Sequence, residues 1–255
     1  MNFKPPSGQA IALSVAPAEP KSSSNPQARA CMNCSVRRLA LFGSITDAAL
    51  DHMHYHVADM HFEPGQALFK VHAQGGSAFT IREGVVRLER VSERGERRIV
   101  RLAGRGDLVG MEAMLGQTYA ADALACTPVQ VCRLPKVLVD ELAADEPALL
   151  RDMMKRWQAA LDEADEWLTE LSVGSARWRM LRLLLKLSEF AEGDGLVWLP
   201  SRQEMGAMLG LTIETASRLV SALKREGVLD TPDIRHARIA MPALMTALKL
   251  EAAPG

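Results

Sequence analysis

What the sequence has little of narrows it first. Cysteine occurs four times in 255 residues, at positions 31, 34, 126 and 132. That is too few and too uneven for a secreted disulfide scaffold, so the thiols read as ligands or redox groups of a chain kept in a reducing cytoplasm. An excess of charge is lacking too, with 30 basic against 31 acidic side chains. Net charge therefore gives no warrant for nucleic acid, membrane or acidic substrates, and any basic surface must be local. No apolar run approaches the ~20 residues that span a bilayer, so no membrane partner is expected. Residues 10–16, AIALSVA, have a single Lys4 before them and stop at Pro17, which reads as tail rather than targeting signal. A Ser/His/Asp arrangement, a phosphate-cradling glycine loop and paired carboxylates are all missing, which argues against an enzyme.

What is present is an ordinary globular balance, 48% hydrophobic and 24% charged, in a length suited to one large or two small domains. Residues 1–30 carry five prolines and the run KSSS, and are expected to be a disordered tail. Thr46 then predicts a capped helix over 46–59, TDAALDHMHYHVAD. After it, AFTIR, VVRLERV, RRIVRL and VQVCRL alternate with period two between glycine-bearing turns, the signature of an antiparallel sandwich or barrel. From Pro147 the period turns helical, with Leu150, Met153, Met154, Trp157, Leu161, Ala164, Leu168 and Leu171 on one stripe and charges opposite. Such a helix packs on its own barrel or pairs with its twin in a homodimer. The a/d-like spacing of Leu150, Met154, Trp157, Leu161, Ala164 and Leu168 favours some pairing. Gly174 and Ser175 interrupt the pattern; a second helix, ARWRMLRLLLKLSEF, and a hairpin-like link, GDGLVWL, follow.

The segment LPSRQEMGAMLGLTIETASRLVSALKREGVL is the most informative. Ser201 with Glu204 three residues on is a capping box that starts a helix, and Gly210 ends it. Thr212 caps a second helix, Leu219, Val220 and Leu223 give it an apolar face, and Gly227 closes it. Two short helices joined by a glycine turn predict a helix-turn-helix, whose second helix enters the major groove of double-stranded DNA. Glu214, Ser217 and Arg218 carry chemistry suited to base edges, with Thr212, Thr215 and Arg202 as further contacts. TPDIRHARIAM reads as a β-wing, from which Arg235, His236 and Arg238 would reach phosphates.

With these residues in view, the chain from about Cys31 to its end resembles the CRP/FNR superfamily of bacterial transcription regulators. The resemblance implies an α+β fold: an N-terminal antiparallel β-roll like a cyclic-nucleotide-binding domain (31–145, including the Cys segment), a long dimerisation helix (146–173) and a C-terminal winged helix-turn-helix (174–255). LGLTIETASRL looks like the recognition helix of the fumarate and nitrate reduction regulators, which carry E-x-x-S-R there and read a TTGAT half-site in an inverted repeat. A homodimer, and RNA polymerase as a partner, are implied by the same resemblance.

The resemblance also frames what the β-roll senses. Relatives that bind cyclic AMP use a G-E-L segment and an Arg-Ser pair; here the matching stretches are GMEA and TYAADA, with Tyr119 about where the arginine belongs, so cyclic nucleotide is not expected. In the fumarate and nitrate reduction branch a [4Fe-4S] cluster is held by three N-terminal cysteines spaced C-x2-C-x5-C and one in the roll. Cys31, Cys34 and Cys132 match, and GDLVGMEAM resembles that branch's GDLVGFDA, whereas Ala40 stands at the third position. Cys126 is a candidate replacement only if the chain turns before Cys132, since one extended strand would hold the two sulfurs about 20 Å apart at ~3.3 Å per residue. Three thiolates with a non-cysteine ligand or an open iron, a Cys31/Cys34 thiol switch, and no metal at all stay open beside it, as do nitric oxide and another small ligand. Haem is suggested by His52, His54, His56, His61 and His72, although the first three also fit a solvated helix face. A thiol oxidoreductase built on Cys31-x-x-Cys34 lacks the βαβ context such enzymes need.

Overall fold

A computed structural model describes residue 29 and residues 31–51, 57–191 and 193–252. Most of the expected disordered tail, together with His52, His54 and His56, lies outside the described residues. A 3-10 turn, Leu41–Ser44, and a short helix α1, Asp47–Asp51, precede the strands β1 (Ala58–Phe62), β2 (Ala67–Phe69), β3 (Ser77–Glu83), β4 (Val86–Val91), β5 (Arg97–Ala103), β6 (Leu108–Val109), β7 (Asp122–Ala125) and β8 (Val129–Pro135). These form two antiparallel sheets, ordered β1-β8-β3-β6 and β2-β7-β4-β5. Phe69, Phe79, Ile81, Val86 and Val131 are buried in the core of the resulting roll.

The period-two segments read from the sequence fall on β3, β4, β5 and β8. The helix expected over 46–59 is cut short, because Ala58 and Asp59 already pair with β8, Asp59 opposite Cys132. Met60 and Phe62 alternate with the exposed Asp59 and His61, so this stretch satisfies a strand period once β8 offers an edge.

Helices α2 (Lys136–Asp145) and α3 (Pro147–Glu170) follow, α3 with its proline in the first turn, where the missing N–H leaves no bond unmade. The structure divides the apolar residues of α3 between two directions. Leu149 is fully buried against the roll, with Met153 and Ala160 packed beside it, while Trp167 and Leu171 enter a second core. Leu150 (49% exposed), Met154 (71%), Trp157 (40%), Leu161 (56%) and Leu168 (62%) face outward, and Ala164 is exposed among them.

The C-terminal module comprises α4 (Ala176–Ser188), β9 (Val197–Trp198), α5 (Arg202–Leu209), α6 (Ile213–Arg225), β10 (Leu229–Asp230), β11 (His236–Ile239) and α7 (Met241–Ala252). The stretch read as a hairpin-like link is in part a strand of the wing, since β9 pairs with β11 in a sheet ordered β10-β11-β9. The second core is shared: Val85, Ile99 and Leu102 of the roll pack in one cluster with Met180, Leu184, Met208 and Val220 of the module. Ion pairs stitch the same junction, Arg101 to Glu163 at 2.7 Å and Lys186 to Glu163 at 3.3 Å.

Candidate nucleic-acid interface and thiol site

Each element of the helix-turn-helix has a local cause. Ser201 caps α5, accepting from the Glu204 N–H at 3.2 Å, while Glu204 accepts from the Ser201 N–H at 2.6 Å. Gly210 ends α5 in the left-handed region, φ 63°, where a Cβ would approach the Arg98 guanidinium to 3.0 Å. Thr212 then caps α6 by accepting from the Thr215 N–H at 3.2 Å. Ala216, Val220 and Leu223 anchor the inner face of α6, and Leu219 is half-buried.

Glu214, Ser217 and Arg218 stand exposed on the outer face of α6, together with Thr212. Among the described residues Arg218 reaches only Thr215 Oγ1, at 3.5 Å, so its guanidinium has donors to spare. The helix's own backbone N–H and the Thr212 hydroxyl hold the Glu214 carboxyl below its usual range. Thr215 is half-buried, and its Oγ1 also lies 3.1 Å from Thr212 Oγ1. Arg202 differs: it is half-buried, donates to Met205 Sδ at 3.7 Å, and burial lowers its pKa. In the wing Arg238 is exposed, whereas Arg235 pairs with Glu204 at 2.7 Å and His236 with Asp233 at 2.9 Å.

The pattern of the sequence did not announce Glu204's second role. Its carboxylate also receives Arg87 of β4 at 3.0 Å, so one half-buried side chain joins the cap of α5, the wing and the roll. Burial pushes this carboxyl up, but bonds from Ser201 and Arg235 pull it further down, leaving it below its ordinary value.

At the other end of the roll Cys31, Cys34 and Cys132 line one apolar cavity of about 30 Å³, and Ala40 lines it too. Thr80 closes its floor; it is 1% exposed and its Oγ1 has no hydrogen-bond partner. Val36 and Leu41, both buried, fasten the segment that carries the two N-terminal thiols, and Arg156 of α3 donates to Leu39 O at 2.5 Å. Burial, then the neighbouring Asp59 carboxylate, pushes the Cys132 thiol up to about 12. Among the described residues no three His, Cys, Asp or Glu side chains come close enough together to hold a metal ion.

Cys126, the sequence's candidate for the missing ligand, stands apart from this group. The chain does turn between β7 and β8, but those strands belong to different sheets, and Cys126 is buried in the second core. There its Sγ accepts from Arg87 at 3.9 Å, and burial, only partly opposed by Arg87, pushes its thiol up to about 12. His61 and His72 are exposed on separate parts of the roll, His72 in a turn with φ 64°. Tyr119, which the resemblance sets about where cyclic-AMP-binding relatives would carry an arginine, is buried, stacks on Phe69 at 4.0 Å between centroids, and donates to Ser77 O at 2.7 Å.

A roll of this kind, joined through a long helix to a winged helix-turn-helix, defines a DNA-binding transcription regulator. Residues 59–146 match the cyclic nucleotide-binding domain and residues 179–247 the Crp-like helix-turn-helix domain. The nitrogen fixation regulation protein FixK of Bradyrhizobium diazoefficiens is 31% identical over 230 residues, 88% of this chain and 95% of that protein. The chain belongs to the CRP/FNR family of transcription regulators. The fumarate and nitrate reduction regulatory protein of Vibrio cholerae is 27% identical over 85% of this chain and 89% of its own. Among solved structures, a CRP/FNR-family transcriptional regulator from Thermus thermophilus superposes with a TM-score of 0.62 at 28% identity, covering 76% of this chain and all of that one. FixK2 of Bradyrhizobium japonicum gives 0.69 at 22% identity, covering 79% of this chain and all of that one. These relatives are regulators rather than enzymes, and among the described residues no helix is long and apolar enough to cross a membrane.

Proposed function

We propose that this chain is an oxygen- or redox-responsive regulator that acts as a homodimer on a TTGAT-type inverted repeat and senses through a [4Fe-4S] cluster held by Cys31, Cys34 and Cys132. The observation that carries the reading is the convergence of these three thiols on one apolar cavity, with the orphaned Thr80 hydroxyl in its floor. The donor set fits such a group: thiolates are its usual ligands, and a buried hydroxyl without an acceptor gains one when sulfur fills the space. To hold such a group Cys132, whose thiol burial pushes up, would have to give up its proton. Several relatives carry the name anaerobic regulatory protein, which agrees with this reading.

The chain's own residues supply the coupling. The cavity is small, about 30 Å³, so holding a cluster there would be tied to where segment 31–41 sits over the sheet. Arg156 hands any displacement of that segment to α3, through Leu39 O at 2.5 Å and Gly106 O at 3.1 Å. The exposed stripe of Leu150, Met154, Trp157, Leu161, Ala164 and Leu168 follows the four-three spacing of a two-helix seam, which supports dimerisation through α3. The two α6 helices would then present Glu214, Ser217 and Arg218 to half-sites one helical turn apart, and RNA polymerase would be met at the promoter as in the family.

The test is iron and acid-labile sulfide per monomer, with the visible spectrum, on protein purified without air and then exposed to it. About four of each, with absorption that bleaches in air, is the expected result. Colourless, iron-free protein would overturn the cluster reading.

A further inference from the structure

The sheet β1-β8-β3 carries one cross-strand row that bears on the missing ligand. Asp59 of β1 is the register partner of Cys132 on one side, and Thr80 of β3 is its partner on the other. Directly opposed residues of an antiparallel pair project to the same face, so the three side chains stand in line, Thr80 and Cys132 lining the cavity under segment 31–41 and Asp59 exposed beside Cys132. Cys132 Sγ lies 3.6 Å from Asp59 Oδ1, and Arg82 Nη1 holds Asp59 Oδ2 at 2.7 Å. One carboxylate oxygen is thus pinned by a cation while the other is turned to the thiol. Ala40 offers only a methyl group to the cavity that the three cysteines line.

We infer that Asp59 is the fourth protein ligand of the group held by Cys31, Cys34 and Cys132, in place of the cysteine that Ala40 lacks. The inference rests on the cluster reading above. A carboxylate is a hard, oxygen-donating ligand among three soft thiolates, which distinguishes one iron of the cluster from the other three. His61 is the nearest rival on the same face of β1, two residues along and opposite Gln130 rather than Cys132.

The experiment uses the full chain, reconstituted without air with ferrous iron and sulfide, as wild type, Cys132→Ser, Asp59→Asn, His61→Ala and the double variant Asp59→Asn, Ala40→Cys. Readouts are iron and sulfide per monomer, Mössbauer spectra, and circular dichroism to confirm the fold. Expected are about four irons in wild type and His61→Ala, one of them spectroscopically distinct. Asp59→Asn should drop to about three irons, or lose its iron at least about tenfold faster under a chelator. The double variant should regain four irons with the distinct signal gone. A folded Asp59→Asn protein with four irons and an unchanged Mössbauer spectrum overturns the assignment while leaving the cluster reading intact. Loss confined to His61→Ala does the same, and iron-free wild-type protein overturns both.

Discussion

Leu161 offers a quantitative handle on the proposed dimerisation. It is 56% exposed on α3, in the middle of the outward stripe. Fully burying a leucine is worth about 1.5–3 kcal/mol, so covering its exposed half at a helix–helix seam contributes about 1 kcal/mol per protomer. A two-fold interface uses the residue twice, and Leu161→Ala should therefore weaken dimerisation by about 2 kcal/mol, roughly 30-fold in Kd. Sedimentation velocity over a concentration series, on protein in one defined iron state, reads this directly. Leu149 is the control: it is fully buried against the roll, so Leu149→Ala should lower thermal stability by about 2–5 kcal/mol through a cavity. A Leu161→Ala dimer whose Kd stays within about threefold of wild type, on a protein of unchanged Tm, would refute the assignment of this face.

Arg218→Ala should cost about 1–3 kcal/mol in binding to the inverted repeat while hardly changing affinity for unrelated duplex, measured by fluorescence anisotropy at fixed salt. Equal losses on both duplexes would reassign Arg218 to a phosphate contact. Glu204→Gln removes the charge that Arg87 and Arg235 share, and a loss of about 2 kcal/mol is expected, or about 4–8 °C in Tm. Because the Glu204 carboxyl lies below its ordinary value of 4.5, its stabilising effect is present above that pH and is lost as pH falls through the lower folded value. The Tm gap between wild type and Glu204→Gln should accordingly narrow on acidification below about pH 4, and a gap independent of pH would contradict the pairing.

What was legible in the sequence was local. The capping box at Ser201 and Glu204, the Thr212 cap and the helical period from Pro147 depend on residues three or four apart, and all three lie where the pattern indicated. The remainder depends on partners far along the chain. Whether a residue of α3 turns inward like Leu149 or outward like Leu150 is decided by the roll beneath it, and the helical stripe alone leaves both together. The pairing of Asp59 with Cys132 spans more than half the roll, and nothing near Asp59 in sequence signals it. Cys126 and Cys132 are close in sequence yet belong to different cores, because the turn between β7 and β8 carries the chain from one sheet to the other. Glu204 reads as a cap because its capping partner is local, while Arg87 is brought to it only by the packing of the roll on α5.

The measurement that bears most directly on the function is operator affinity in two redox states of one preparation. Anisotropy titrations of a duplex carrying an inverted TTGAT repeat would be run on anaerobically reconstituted protein, before and after exposure to air, with Cys132→Ser alongside. Affinity should fall by at least about tenfold, 1.4 kcal/mol, on exposure to air, and the variant should bind weakly in both states. Equal affinity before and after air, or a Cys132→Ser protein that still binds tightly only without air, would contradict sensing through these thiols.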